Sequence, residues 1–324
     1  MPRYAFFGNP SYGGYVLAEL IRHGVDVAAV FHASESRLHR VRKLYRRYAT
    51  TPKKRRELRA RLREKFETFR DEPHPVPAFG VDPKGIAVAH GLRTFDGAQV
   101  HAPETPATLR ALGVDVILVA SFGEFLPQRL LEAPRLAAIN MHASYLPRLR
   151  GGFPEFAAVL TGESEAGITF HLMEERFDAG NVLLQRKLAL APDETTRSLK
   201  ERLAQLGCSA IPELLARVAA GDLTGTPQDP ARVTYCRLPA GFDRIDGSFS
   251  VARIRRLVNA CYDVEEIGRP RVQIAGHEIC VLSCGPDGLP HRAADGVIHF
   301  DLVRYRHRLY AGAALAELRA SLGL

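Results

Sequence analysis

Cysteine is sparse in this 324-residue chain: five residues, Cys208, Cys236, Cys261, Cys280 and Cys284, with no CxxC pair among them. An odd and scattered set excludes a disulfide framework and supplies no zinc-ligand cluster, so these are read as buried thiols and no metal is expected. No apolar run approaches the roughly 18 residues that cross a bilayer. The opening MPRYAFFGNP has too few apolar residues before its Gly and Pro to form a signal-peptide core. A cytoplasmic protein with no membrane association is the expectation. A P-loop, an EF-hand, a G-x-S-x-G nucleophile elbow, internal repeats and low-complexity tracts are also missing. FFGNPSYGG lacks the G-x-G-x-x-G spacing and the acidic residue on a following strand, which removes a dinucleotide-binding reading.

What is present is an ordinary globular composition, 46% hydrophobic and 25% charged, in a chain long enough for one large or two smaller domains. The net charge of +8 is unevenly placed. Residues 37–70 carry 15 Lys/Arg against 3 Glu, a local +12 that leaves the remainder at −4. In that segment Leu38, Val41, Tyr45 and Tyr48 share one helical face, as do Leu58, Leu62, Phe66 and Phe69 after the TTP break. Two amphipathic helices with solvated cationic outer faces explain the pattern; the alternative is a phosphate-rich partner such as tRNA or a nucleotide-sugar.

Strand and helix signals alternate along the first two thirds. RYAFFG, VDVAAVF, VDVILVASF and LAAINMHA read as buried strands, and NPSYGGYVLAELIRHG and TPATLRALG as turn-plus-helix and helix. GGFPEFAAVLTG predicts a helix starting near Pro154 and stopped by Gly162. AGITFHLM and NVLLQRKLAL predict two more strands, and DETTRSLKERLAQLGCSAIPELLARVAAG one long helix or two shorter ones, capped by Asp193. The expected class is α/β, an open and mostly parallel Rossmann-like sheet over residues 1–221 with the basic helical insertion 37–70. The polar GDLTGTPQDPARVTY suggests a linker over residues 222–231. Beyond it, one amphipathic helix and short strand-like runs between Gly, Pro and Asp turns predict a smaller β-rich, OB-like domain at 232–324.

The chemistry-bearing residues lie in AAINMHASYLPRLRGGFPE. Side chains two apart on a strand share a face, so Asn140 and His142 emerge together at the carboxyl end of a central strand, where open α/β sheets keep their sites. A neutral imidazole can accept a proton from an attacking nucleophile, and an amide N–H can stabilise a forming oxyanion. The pair suits acyl transfer. A carboxylate to orient the imidazole is available from Glu174, Glu175 or Asp178 in EERFDAGN.

The stretch INMHASYLPRLRGGFPEFAAVLTGESEAGITFHLMEERFDAG resembles the signature block of the 10-formyltetrahydrofolate-dependent formyltransferases, a family that includes tRNA, ribonucleotide and sugar branches. The match runs through Asn-x-His, Ser-x-Leu-Pro, Arg-Gly, a following Pro and Asp-x-Gly; FFGNPSYGGYVLAEL, SFGEFLP and VTYCRLPAGFDRIDGSFSVARIRRLVNA resemble flanking parts. The resemblance implies the formyltransferase fold and a triad of Asn140, His142 and Asp178: oxyanion donor, general base, and the carboxylate that orients and stabilises the base. It implies 10-formyltetrahydrofolate as co-substrate and no covalent enzyme intermediate. It further implies a folate wall of Ser144, Tyr145, Leu146 and Pro147 beside a loop of Ser121, Phe122 and Gly123, with Phe122 and Leu126 offering apolar surface to the pterin. Phe122 and Leu126 read equally well as core.

The sequence departs from the family pattern at Tyr145, usually leucine, and at Phe153, where the tRNA branch has a small residue. ITFHLMEERFDAG, with His171, is closer to the sugar-modifying branch, and CYDVEEIGRPRV lacks the family's Pro-Gly-Ala turn. The C-terminal region has only a modest arginine surplus. These features favour a small amine acceptor of amino-sugar or ornithine type, with methionyl-tRNA close behind and gripped, in that case, through 37–70. A 10-formyltetrahydrofolate hydrolase and a non-catalytic RNA-binding protein on the same body are the readings from other classes.

Overall fold

The first strand, β1 (Arg3–Gly8), sends Tyr4 and Phe6 to one side of its sheet and Ala5 and Phe7 to the other, all four buried. A strand apolar on both faces belongs in the middle of a covered sheet. In the computed structural model, which describes residues 1–33, 80–238, 241–262, 269–306 and 308–323, that is its position. It lies between the parallel strands β2 (Asp26–His32) and β4 (Val116–Ala120). The edge strand β3 (Thr94–Asp96) pairs with β2, and β5 (Ala137–His142) pairs in parallel with β4. Strands β6 (Glu165–Leu172) and β7 (Val182–Ala189) then continue the sheet antiparallel. Among the described residues the order is β3-β2-β1-β4-β5-β6-β7, a mostly parallel sheet as expected. The basic stretch 37–70 lies outside the described residues.

Both faces are covered. Helices α1 (Tyr12–Arg22), α2 (Pro83–Ala89), α5 (Pro154–Thr161) and α6 (Thr196–Ala219) pack over the face carrying Tyr4, Phe6, Leu118, Ile139 and Met141. Helices α3 (Thr105–Ala111) and α4 (Gln128–Leu131) cover the other with Leu109 and Leu130, over Ala5, Phe7, Ile117 and Ala138. α5 starts at Pro154 and ends at Gly162 in the left-handed conformation, as its sequence predicts. α6 is one helix that runs through Pro212. Its cap is Thr195 and not Asp193. Thr195 Oγ1 accepts from Ser198 N while Ser198 Oγ accepts from Thr195 N, a reciprocal box that satisfies two orphan amides, which a residue two positions earlier does not reach here.

The second, smaller sheet uses β8 (Arg244–Ile245), β9 (Arg271–Ile274), β10 (His277–Gly285), β11 (Leu289–Ala293), β12 (Gly296–Tyr305) and β13 (Arg308–Ala311). Its order is β11-β12-β10-β9-β8, with β13 also on β12. Helix α7 (Val251–Cys261) buries Ile254, Leu257, Val258 and Cys261 and packs on α5, and Phe156 of α5 meets Phe242 edge to face at 5.7 Å. A short helix, α8 (Ala313–Ser321), follows β13. The polar segment 222–231 runs alongside the first sheet: Thr226 bridges Val182, and Asn181 Nδ2 donates to Thr224 O at 3.0 Å. Among the described residues no helix is long and apolar enough to cross a membrane.

Met141, between the two polar residues of β5, points to the opposite face. A Cβ on Gly207 of α6 would stand 2.7 Å from its sulfur, so a side-chain-free position in mid-helix lets α6 lie directly on β5. Glycine there costs about 1 kcal/mol of helix propensity relative to alanine. Gly207→Val is therefore expected to lower unfolding free energy by about 1–3 kcal/mol through overpacking, read by urea denaturation; unchanged stability would contradict this packing.

Candidate active site

β5 delivers Asn140 and His142 to the same face, at the carboxyl end of the sheet. Because β6 runs antiparallel, Asn140 lies directly opposite His171 and His142 opposite Thr169. The turn after β6 brings Asp178 back over this pair, with Asp178 itself in the left-handed region at φ 53°. Gly180, two residues on, has to be glycine: a Cβ there would stand 2.0 Å from Leu172 O.

The three side chains expected to act together are brought together, and His171 joins them. Asp178 Oδ1 is 3.5 Å from Asn140 Nδ2, 3.7 Å from His142 Nδ1 and 3.6 Å from His171 Nε2, while Oδ2 accepts from Gly151 N at 2.8 Å. Burial alone would raise the Asp178 pKa. The positive charges of His142 and His171 when protonated, the contact with His171 and the Gly151 N–H overcome that and hold the carboxyl well below the usual carboxylate range.

Hydrogen-bond partners assign the nitrogens. His171 Nδ1 is 2.8 Å from Leu172 O, so it carries the proton, and Nε2 accepts from Asn140 Nδ2 at 3.2 Å. His142 Nε2 is 3.0 Å from Leu149 O, an acceptor only, so the N–H sits there and Nδ1 keeps its lone pair on the Asp178 side. The group within hydrogen-bond reach of His142 is thus a backbone carbonyl, with Asp178 a little farther out as a counter-charge. Cys236 also donates to Leu149 O, at 3.4 Å, and burial, with the Glu155 and Asp178 charges, pushes its thiol up to about 12. Four non-glycine residues around the site, Ser121, Leu149, Phe153 and Asp178, hold positive φ of 53–62°. That conformation is uncommon outside glycine and gathers where backbone geometry is fixed for a purpose.

The residues expected to form a folate wall are divided. Ser144 is buried and its Oγ donates to Arg148 O at 2.7 Å; Leu146 is buried and its N–H donates to Thr169 Oγ1 at 3.1 Å; Pro147 O accepts from Thr234 N at 3.3 Å. These three build the loop. Tyr145 is the exposed member, its ring over Gly167 of β6. Phe122 packs edge to face on Phe7, 5.5 Å between centroids, and against Gly97, with β4 and β5 between it and Tyr145. Leu126 is buried in the smaller core; Ser121 O accepts from Asn9 N at 3.1 Å; Gly123 lies in the same loop and is exposed. Phe153 is half-buried and packs against the main core, so its ring does not stand free on the acceptor side.

Sequence reasoning left out an aromatic pair. Phe125, 45% exposed, and Phe177, 68% exposed and adjacent to Asp178 in sequence, lie 5.5 Å apart between centroids. They join the loop after β4 to the loop carrying Asp178. Two solvent-exposed phenylalanines in contact are the signal, and only the structure shows them together.

Residues 3–215 match the family model described as formyl transferase. The chain belongs to the formyl transferase family. This formyltransferase is 32% identical over 334 residues to a protein named methionyl-tRNA formyltransferase from Geobacter metallireducens, covering 98% of this chain and 96% of the relative. Its fold resembles the N-formyltransferase of Helicobacter canadensis (TM-score 0.61, 13% identity, 93% of this chain and 99% of that one). It also resembles HypX of Aquifex aeolicus (TM-score 0.61, 15% identity, 98% of this chain), of whose length it spans about half, 48%. The protein is a formyl-transferring enzyme, and the buried carboxylate beside two imidazoles is the group through which pH should report on its site.

A carboxyl whose folded pKa is depressed stabilises the fold fully above its unfolded value, about 3.9, and loses that contribution as pH falls toward the folded value. Asp178→Asn is accordingly expected to melt below wild type at pH 5, with the gap shrinking as pH falls below about 4. A gap that widens with acid in thermal melts would contradict the assignment.

Proposed function

We propose that the protein moves a formyl group from 10-formyltetrahydrofolate to the primary amine of an acceptor, with the site built in a catalytic domain spanning 1–221 and a second domain spanning 232–324. The observation that carries this reading is the meeting of Asn140, His142 and His171 on one carboxylate, Asp178, at the carboxyl end of β5. Formyl transfer needs a donor for the oxyanion that forms as the amine nitrogen bonds to the formyl carbon, and a base for the proton that nitrogen sheds.

Asn140 has two N–H donors. One is engaged by His171 Nε2 at 3.2 Å; the other makes only a long 3.5 Å contact with Asp178 and is the one that can turn to the oxyanion. His142 takes the proton at Nδ1, since Leu149 O holds the N–H at Nε2. The imidazolium so formed lies beside Asp178 at 3.7 Å, close enough for charge stabilisation in a site shielded from water. The exposed Phe125 and Phe177 rings, and Tyr145 farther along the sheet, offer the flat apolar surface that a pteridine and its benzoyl ring would use. The Helicobacter canadensis enzyme was solved with folinic acid and dTDP-3-aminofucose, consistent with this donor chemistry.

For the acceptor, methionyl-tRNA is favoured by relatives of that name along 98% of the chain and by the inward packing of Phe153. A small amine of amino-sugar type is the second reading, favoured by His171. His142→Ala is expected to lower kcat by about 10²–10⁴-fold and Asn140→Ala by about 10²–10³-fold, with folding retained, in an assay of formyl transfer from 10-formyltetrahydrofolate. Phe177→Ala is expected to raise the donor KM while kcat holds. Run side by side on methionyl-tRNA, an amino-sugar nucleotide and an ornithine-type amine, the wild type is expected to prefer the first, with tRNA affinity falling steeply as salt rises. Preference for a small amine would overturn the acceptor assignment, and full turnover by His142→Ala the site.

A further inference from the structure

The segment 222–231 has the composition of a linker, yet it places a side chain against the active-site loops. Gln228 Nε2 donates to Asp178 O at 2.9 Å and to Gly180 O at 2.8 Å. Its Oε1 accepts from Arg150 Nε at 3.2 Å and Arg150 Nη2 at 2.7 Å. Both N–H groups and the amide oxygen are therefore used. Arg150 is itself buried, and Gln228 is the hydrogen-bond partner of its guanidinium. The next residue, Gly151, sends its N–H to Asp178 Oδ2. A closed ring results: Asp178 carboxylate, Gly151 N–H, the Arg150 guanidinium, Gln228, and back to the Asp178 carbonyl.

Six residues on, just beyond that segment, the chain grips the other half of the site. Thr234 Oγ1 accepts from Leu149 N at 2.9 Å, Thr234 O accepts from Arg150 N at 2.9 Å, and Cys236 N donates to Arg150 O at 2.9 Å. These bonds set the Leu149 carbonyl that faces His142 Nε2. One stretch of chain, 228–236, thus fixes the loop that orients the imidazole and the turn that carries its counter-charge.

We infer that Gln228 is a positioning residue for formyl transfer: it holds Asp178, in its left-handed backbone conformation, at the distance from His142 and Asn140 that the reaction uses. This rests on the catalytic role proposed for Asp178. A buried carbonyl deprived of its donor seeks another, and a shift of about 1 Å in a reacting group costs up to about 100-fold in rate.

The test is Gln228→Glu, which keeps the size and the acceptors for Arg150 but presents oxygen to both carbonyls, with Gln228→Met as a second variant lacking every one of these bonds. Two quantities are read in the full chain: amide exchange of Gly151 by NMR, and kcat and KM for formyl transfer on whichever acceptor wild type uses. Exchange at Gly151 is expected to rise about tenfold or more, and kcat to fall about 10- to 100-fold with the donor KM within about twofold. A purely structural role would lower melting temperature and the active fraction and leave kcat per active site unchanged. Unchanged Gly151 exchange in either folded variant overturns the inference; faster exchange with unchanged kcat overturns the positioning role. Absence of formyl transfer by wild type on every acceptor would defeat the proposed function instead, and Gly151 exchange would still decide whether Gln228 holds the turn.

Discussion

The bond from Gly151 N–H to Asp178 Oδ2, 2.8 Å long, is the constraint on which the rest of the site depends. A carboxylate taken out of water is costly unless it is paired and hydrogen-bonded. Asp178 meets that requirement with the Gly151 N–H and the longer contact from the Asn140 amide, and with His142 and His171 beside it as counter-charges when they are protonated. The backbone conforms to the carboxylate: Asp178 and Leu149 adopt left-handed conformations that bring, respectively, the counter-charge and the carbonyl acceptor to opposite ends of the His142 ring. The fold's contribution is to supply β5, buried on both faces through Ile139 and Met141 on one side and Ala138 on the other, as a stiff support for the two polar residues at its end.

Much of this was legible in the sequence, for local reasons. The alternation in LAAINMHA puts Asn140 and His142 on one face, and the apolar runs of β1 and β4 place the neighbouring strands in a covered sheet. On spacing alone Asp178 is one of three nearby carboxylates, and family resemblance is what singles it out. What lay hidden depends on pairing between distant segments. Strand periodicity does not reveal direction, and it is the antiparallel course of β6 that sets His171 opposite Asn140, so His171 read only as a branch marker. Gln228 reaches Asp178 across 50 residues from a stretch whose Pro, Gly and Asp content signals only loop. The exposed contact of Phe125 with Phe177 is invisible to any pattern that looks for burial.

The same limits explain the apolar surface expected for the donor. Ser-x-Leu-Pro was legible as a unit, yet Ser144 and Leu146 turn inward to tie the loop to Arg148 and Thr169, leaving Tyr145 outside. Phe122 follows the smaller core. Phe153, whose bulk suggests a restricted acceptor side, is the left-handed residue just before α5 and packs inward. Side-chain type is readable from the sequence in each case; direction is a property of the backbone, set by turns whose geometry the sequence does not announce.

The central claim is that Asp178 and His142 act as one unit, so the most direct measurement is a double-mutant cycle on kcat for formyl transfer with His142→Ala, Asp178→Asn and the pair. Residues that act as a unit are grossly non-additive. The double variant is expected to be little worse than His142→Ala alone, within about threefold, because a counter-charge has nothing left to stabilise once the imidazole is gone. Losses that multiply in the double variant would contradict the account and show that the two side chains contribute independently.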